Sequence, residues 1–316
     1  MLLSIVTTLY RSAAHLEEFH ARMVRAAEAF GAFEMVLVND GSPDESLQKA
    51  LEIGAGDPRV VVVDLSRNFG HHKAMMTGLA HARGERLFLI DCDLEEEPEL
   101  LSRFDEEMRR TGADVVFGAQ ARRKGGPLER WSGQLFFRLF NLLSDDPLPP
   151  NLSTVRLMTR RYVDALLAHR ERAMIIGGLW VVTGFSQVAV PIRKAARGMT
   201  SYTFARKVDV FVNAVTSFSD KPLRLIFYMG MAIFLIALVA ATVLVVRRVF
   251  LGVLLAGWPS LMVSVWLLGG LTLFSVGVIG IYLQKVFLET KQRPYTIVRA
   301  VHGGNAPEPS PDRSRT

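Results

Sequence analysis

Two carboxylates one residue apart close an apolar run in Leu87-Phe88-Leu89-Ile90-Asp91-Cys92-Asp93-Leu94. Four consecutive apolar residues of this kind predict a buried parallel strand. The C-terminal edge of such strands is where open α/β sheets bind ligands. Hard cations such as Mg²⁺ or Mn²⁺ take oxygen ligands from one or two carboxylates and complete their shell with substrate phosphates. Asp91 and Asp93 therefore suit a nucleotide diphosphate held through a metal. An isolated Asp-x-Asp more often only caps and solvates a turn, so neighbouring strand ends must decide.

Two other strand ends carry matching chemistry. In Asn39-Asp40-Gly41-Ser42-Pro43-Asp44, Asp and Ser can hydrogen-bond a base edge or ribose while Gly41 lets the backbone turn. An Asx-type turn with Ser42 capping the next helix is the alternative. In Ser66-Arg67-Asn68-Phe69-Gly70-His71-His72-Lys73, polar donors open a helix, a place where phosphates or ribose hydroxyls bind readily. Adjacent histidines do not face one another on a helix, which favours solvated or phosphate-contacting roles over metal binding. Glu95, Glu96 and Glu97 precede Pro98, and acids there suit the positive end of a helix. A basic loop, Arg122-Arg123-Lys124-Gly125-Gly126, leads to an amphipathic helix over 131–143.

These residues need a frame. Apolar runs over 2–9, 33–39, 60–65 and 86–90 alternate with helical patterns over 13–30, 43–52 and 71–82, followed by strands over 114–118 and 155–157. That alternation predicts an α/β fold with a doubly wound, mainly parallel sheet.

Composition divides the 316 residues into a globular part, 1–220, and an apolar part, 225–284. Uncharged stretches over 225–246 and 249–284 exceed the roughly 20 residues that span a bilayer, predicting a two-helix transmembrane hairpin with helices over 225–246 and 259–283. Arg206, Lys207, Lys221 and Arg224 precede the hairpin, Lys285, Lys291, Arg293 and Arg299 follow it, and its turn holds Arg247 and Arg248. This bias predicts that both ends face the cytosol in a multi-pass protein of the plasma membrane. The first residues lack a basic leader and read as a strand, not a signal peptide. The sole cysteine, Cys92, excludes an intrachain disulfide. A net charge of +6 clusters near the spans, which points to anionic lipid headgroups instead of nucleic acid. Residues 285–316 read as a largely disordered cytosolic tail. Gly270 and Gly277 share a helical face, which allows close contacts within the hairpin or between copies in a homo-oligomer.

Taken together, Asp40-Gly41-Ser42, Ser66-Arg67-Asn68-Phe69-Gly70, Asp91-Cys92-Asp93-Leu94, Pro149-Pro150-Asn151, Arg156-Leu157, the Ser217-Phe218-Ser219 to Pro222-Leu223 approach and the paired spans resemble the family 2 glycosyltransferases of the GT-A fold. Within them, residues 1–290 are similar to enzymes that load a sugar onto polyprenyl phosphate, such as bactoprenol glucosyltransferases and dolichol-phosphate mannose synthases. The resemblance implies a nucleotide-diphosphate sugar as donor, a UDP-sugar first among them, and undecaprenyl or a related polyprenyl phosphate as acceptor. It makes Tyr10, Asp40, Ser42, Asn68 and Asp91 donor contacts. Asp91 and Asp93 become the catalytic diphosphate and Mg²⁺ or Mn²⁺ site, with Asp93 the direct ligand and Glu95 assisting. Arg122, Arg130, Arg156 and Arg206 become acceptor-phosphate contacts.

The chain departs from the family pattern at three points. Thr8-Leu9-Tyr10-Arg11-Ser12 replaces a Pro-x-Tyr-Asn-Glu-like turn, Thr154 stands in an Asp-Phe-Arg-Leu-like run, and a carboxylate sometimes credited as a base is thereby missing. A polysaccharide synthase would carry Gln-x-x-Arg-Trp, but Pro127 occupies the Gln position before Arg130-Trp131. The remaining alternatives are a membrane-tethered nucleotide-binding scaffold without catalysis and a glycosyltransferase using another acceptor.

Overall fold

A computed structural model describes residues 2–120, 152–169, 171, 176–193, 212, 215–216, 219–251 and 257–303. Its strands are β1 Leu3–Leu9, β2 Phe33–Asn39, β3 Val60–Leu65, β4 Arg86–Leu89, β5 Val115–Gln120, β6 Leu152–Thr159, β7 Gln187–Ile192 and β8 Val298–His302. Its helices are α1 Leu16–Glu28, α2 Ser46–Gly56, α3 His71–His81, α4 Leu100–Thr111, α5 Arg160–Ala168, α6 Ile176–Val182, α7 Lys221–Leu251 and α8 Trp258–Thr290. The amphipathic helix expected over 131–143 lies outside the described residues.

The strands form one sheet in the order β7-β5-β6-β4-β1-β2-β3-β8. β1 to β4 run parallel, as do β5 and β7. β6 lies antiparallel between β4 and β5, and β8 antiparallel on β3. The sheet is therefore mixed but mainly parallel: four of its seven strand pairings are parallel, and β6 and β8 are the two strands that run the other way. Register pairs Leu9 with Asn39 and Asn39 with Asp64, so three parallel strands end level. β4 stops opposite Val6, and Ile90 N–H still donates to the Val6 carbonyl at 3.1 Å.

Helices cover both faces, as the double winding requires. On one, Leu16, Phe19, Met23 and Ala27 of α1 pack with Leu101, Phe104 and Met108 of α4 over Ile5, Met35 and Phe88. Their spacing is the apolar stripe of an amphipathic helix, and burying each larger side chain contributes about 1.5–3 kcal/mol. On the other, Ala74, Met75 and Leu79 of α3 join Tyr162, Val163 and Leu166 of α5 and Leu179 of α6 over Val6, Val36 and Leu87.

Contacts divide the chain into two units. One holds Met1–Gln134, Leu148–Ser201 and Arg293–Thr316; the other holds Leu135–Pro147 and Tyr202–Gln292. Of the tail expected over 285–316 to be largely disordered, residues 285–303 are described and residues 304–316 lie outside the described residues. α8 continues to Thr290 and Val298–His302 forms an edge strand of the sheet. The reason is tertiary: a five-residue strand gains its order from the β3 edge it covers.

In the second unit, α7 and α8 cover both stretches expected to span the membrane. Among the described residues, one helix segment, Ser264–Thr290, is long and apolar enough to cross a bilayer, and none of its apolar window is buried. The pair of apolar helices is present, and among the described residues the length and composition needed for spanning are met within the second. The Tyr282 hydroxyl donates to the Ser219 carbonyl at 2.6 Å. A Cβ added at Gly270 or Gly277 would meet nothing within 4 Å among the described residues.

Candidate active site

Polar residues follow the level ends of the parallel strands, and β2 supplies the organiser. Asp40 is 2% exposed. Its Oδ1 accepts the Phe69 N–H at 2.7 Å and its Oδ2 accepts the Gly70 N–H at 3.0 Å. Burial raises its pKa, and the two amide bonds oppose that rise. The next residue tightens the junction: Gly41 has φ +58°, and a Cβ there would stand 2.4 Å from Asn68 N and 2.5 Å from the Arg67 carbonyl carbon. Only glycine tolerates both the left-handed backbone and this approach. The 66–70 loop is thus stapled to the end of β2, beside which Asn68 is exposed.

Ser42 joins that edge to β1. Its Oγ accepts the Arg11 N–H at 2.7 Å and donates to Asp44 Oδ1 at 2.5 Å. The turn into α2 is built on Asp44, whose Oδ1 also accepts Ser46 N–H and Ser46 Oγ. Burial pushes the Asp44 pKa up, but hydrogen bonds from Ser42, Ser46 and Ala13 outweigh it and hold the carboxyl at about 2. Ser42 therefore does not cap α2 itself. The Ser42 contact steadies Arg11 at φ +56°, and the preceding Tyr10 ring is 46% exposed.

On the β4 side, His71 connects two strand ends. Its Nδ1 lies 2.9 Å from Thr8 Oγ1 and its Nε2 lies 3.3 Å from Asp91 Oδ1. Burial lowers the His71 pKa, yet the Asp91 hydrogen bond and the charges of Asp91, Asp40 and Asp93 leave it raised. The sequence signal for this bridge was Gly70, at φ +98°, turning the chain so that α3 begins on His71. Asp93 Oδ1 accepts the Glu95 N–H at 2.9 Å, across Leu94 at φ +61°. Between the carboxylates, Cys92 is 3% exposed and donates to the Thr8 carbonyl at 3.3 Å. Burial raises its thiol to about 11, which makes it a packing residue.

The donor set fits a cation shared with substrate. Among the described residues no group of three His, Cys, Asp or Glu side chains is placed to hold a metal ion, so Asp91, Asp93 and Glu95 do not form a three-carboxylate set. Two carboxylates at a partly exposed edge are what a Mg²⁺-type ion needs when phosphates and water supply its other ligands. Glu95 is held in the same turn.

Two expectations meet a different environment. Arg156 is 0% exposed, with its guanidinium 3.0 Å from the Trp180 ring centroid. Its Nε and Nη2 donate to the carbonyls of Thr154 and Ser153 at 3.3 and 3.4 Å, and burial lowers its pKa to about 9. It packs inside the fold, whereas Arg122, Arg130 and Arg206 lie outside the described residues. Glu96, expected as an acid at the positive end of a helix, is 0% exposed and accepts the Ser153 hydroxyl. It ties the turn after Asp93 to β6, a role that helix-end reasoning cannot reveal.

The profile of glycosyl transferase family 2 matches residues 4–167, half of the chain. The chain belongs to glycosyl transferase family 2. It is 53% identical to a Mycobacterium tuberculosis protein carrying a provisional glycosyltransferase name, over all of this chain and 93% of that one. It is 31% identical to the Escherichia coli K12 prophage bactoprenol glucosyl transferase homolog, over 95% of this chain and 99% of that one. The bactoprenol glucosyl transferase of Shigella phage SfII is also 31% identical, covering 96% of this chain and all of its own length. This family 2 member is thus a glycosyltransferase. The matched stretch carries every strand end described above, while β7, β8 and the two apolar helices lie beyond it.

Proposed function

We propose that this glycosyltransferase moves a sugar from a nucleotide-diphosphate sugar, a UDP-sugar first, onto a polyprenyl phosphate at the cytosolic face of the plasma membrane. The carrying observation is the gathering of Tyr10, Ser42, Asn68, Asp91 and Asp93 along one strand edge. Near full-length similarity to proteins named bactoprenol glucosyl transferase supports the acceptor.

Exposed Tyr10 and Asn68 border the space for the nucleoside, and the start of α3 offers its positive end to phosphate. Asp40 acts beneath them by holding the 66–70 loop. Asp93 and Asp91 would hold Mg²⁺ or Mn²⁺, which supplies charge stabilisation to the departing nucleotide diphosphate. His71 orients Asp91. The second pKa of a phosphate monoester is about 6, so the acceptor oxygen is largely anionic at neutral pH. A general base has little proton to remove, which makes Thr154 tolerable where an acid is otherwise found. The acceptor oxygen attacks sugar C1 in line; the new C–O bond forms as the bond to the diphosphate oxygen breaks, with inversion. Arg122, Arg130 and Arg206 are assigned to the acceptor phosphate, where guanidinium forks match its oxygens.

Exposed apolar side chains on α8, such as Trp266 and Leu273, support a bilayer contact. The test uses full-length protein in vesicles containing undecaprenyl phosphate, with Mg²⁺ and a panel of labelled nucleotide sugars. Label should pass to the lipid from one donor. Transfer to a different acceptor, or to none, overturns the proposal.

A further inference from the structure

The strand that follows the second apolar helix reaches the donor loop. β8 pairs Ala300 with Asp64 and Val298 with Leu65, with an irregularity at that step. Just beyond, the Ser66 N–H donates to the Ile297 carbonyl at 2.9 Å. Arg299 spans the irregularity: Nη1 lies 3.3 Å from Asp64 Oδ2, and Nη2 donates to the Ser66 carbonyl at 2.7 Å. Asp64 is 3% exposed, and its other oxygen accepts Asn39 Nδ2 at 2.7 Å. The 66–70 loop is therefore gripped at both ends, by Arg299 at Ser66 and by Asp40 at Phe69 and Gly70. Arg67 and Asn68, its exposed residues, sit between the grips.

We infer that Arg299 is a positioning residue for nucleotide binding, holding the 66–70 loop so that Arg67 and Asn68 face the donor. The inference rests on the donor-edge reading above. Without Arg299 the Ser66 end would keep its N–H bond to Ile297 but lose the hold on its carbonyl; the loop would then sample more backbone states, and ordering it would weaken binding. The guanidinium fork is the group that satisfies a buried carboxylate and a backbone carbonyl together; a lysine ammonium offers one point charge.

The test measures equilibrium binding of UDP and GDP, and steady-state KM for donor and for undecaprenyl phosphate, on full-length protein in lipid vesicles. Arg299→Ala should weaken nucleotide binding and raise donor KM about tenfold, leaving acceptor KM within about twofold. Arg299→Lys, which keeps the charge near Asp64, should fall between the two. Thr296→Val removes the 2.8 Å bond to Thr77 Oγ1 and perturbs the same segment while leaving the Arg299 contacts in place; its nucleotide binding should match wild type. Amide exchange should speed at Ser66 and Arg67 in Arg299→Ala. If Arg299→Ala does not fold, Arg299→Lys decides alone, and wild-type binding by it overturns the inference. Equal loss in Thr296→Val, or a change in acceptor KM instead of donor KM, also overturns it. A wild-type chain that binds neither nucleotide overturns the donor-edge reading, and the inference with it.

Discussion

His71 Nε2 stands 3.3 Å from Asp91 Oδ1 while its Nδ1 meets Thr8 Oγ1 at 2.9 Å. One imidazole thereby joins the ends of β1 and β4 and engages the first carboxylate of the Asp-x-Asp pair. Asp93 instead accepts the Glu95 N–H within its own turn. The two carboxylates are chemically inequivalent, a distinction that two identical residue types could not announce.

Asp93→Asn should abolish transfer while changing the melting temperature little, since a strand-end carboxylate away from the core adds little stability. Parallel assays in Mg²⁺ and in EDTA check it. Full activity of this variant in EDTA would remove the metal from the proposed site.

Gly41→Ala places a Cβ against the backbone of Arg67 and Asn68 at a left-handed position. It should cost about 2 kcal/mol or more, from strain together with displacement of the loop. Nucleotide binding should weaken along with stability. Denaturant unfolding and binding titrations on the same sample provide the check.

The acceptor assignment separates two kinds of arginine. Arg122→Ala or Arg130→Ala should raise the KM for polyprenyl phosphate and leave nucleotide binding near normal. Arg156→Ala, at a wholly buried site stacked on Trp180, should instead destabilise the fold by about 2–4 kcal/mol through lost packing. Thr154→Asp should bring no large gain in rate, because the acceptor is already anionic. A strong rate gain there would restore a general base to the mechanism.

Acid stability should report Asp57. Hydrogen bonding from Arg59, assisted by His20, outweighs burial and lowers this carboxyl from 3.8 to about 2. A pKa depressed in the folded state contributes stability that is complete above the unfolded value and is lost as pH falls through the folded one. Allowing for the partly exposed Arg59, the contribution is about 1–2 kcal/mol. The stability gap between wild type and Asp57→Asn should stay constant from neutral pH down to about 5 and close between about 4 and 2. A gap that widens on acidification would contradict the assignment.

Local pattern determined much of this molecule. The apolar runs named β2 and β3 to the residue, and Gly70 before a helical pattern marked where α3 begins. Those signals are short-range: backbone preference and periodicity act within a few residues, so they are legible in one chain. They also set Asp40, Asn68, Asp91 and Asp93 at strand ends, where a donor site could be expected. Tertiary structure alone decided which of them face solvent and which face protein. Asp40 is turned to the amides of Phe69 and Gly70, and Glu96 to Ser153, because partners 29 and 57 residues away satisfy them. Arg156 carries a clue, standing among Val155, Leu157 and Met158 in a strand buried on both faces, but its stacking on Trp180 depends on how α6 packs. β8 was hidden most completely. Five residues with no long periodicity become a strand because the open edge of β3, more than two hundred residues earlier, leaves donors and acceptors that they satisfy.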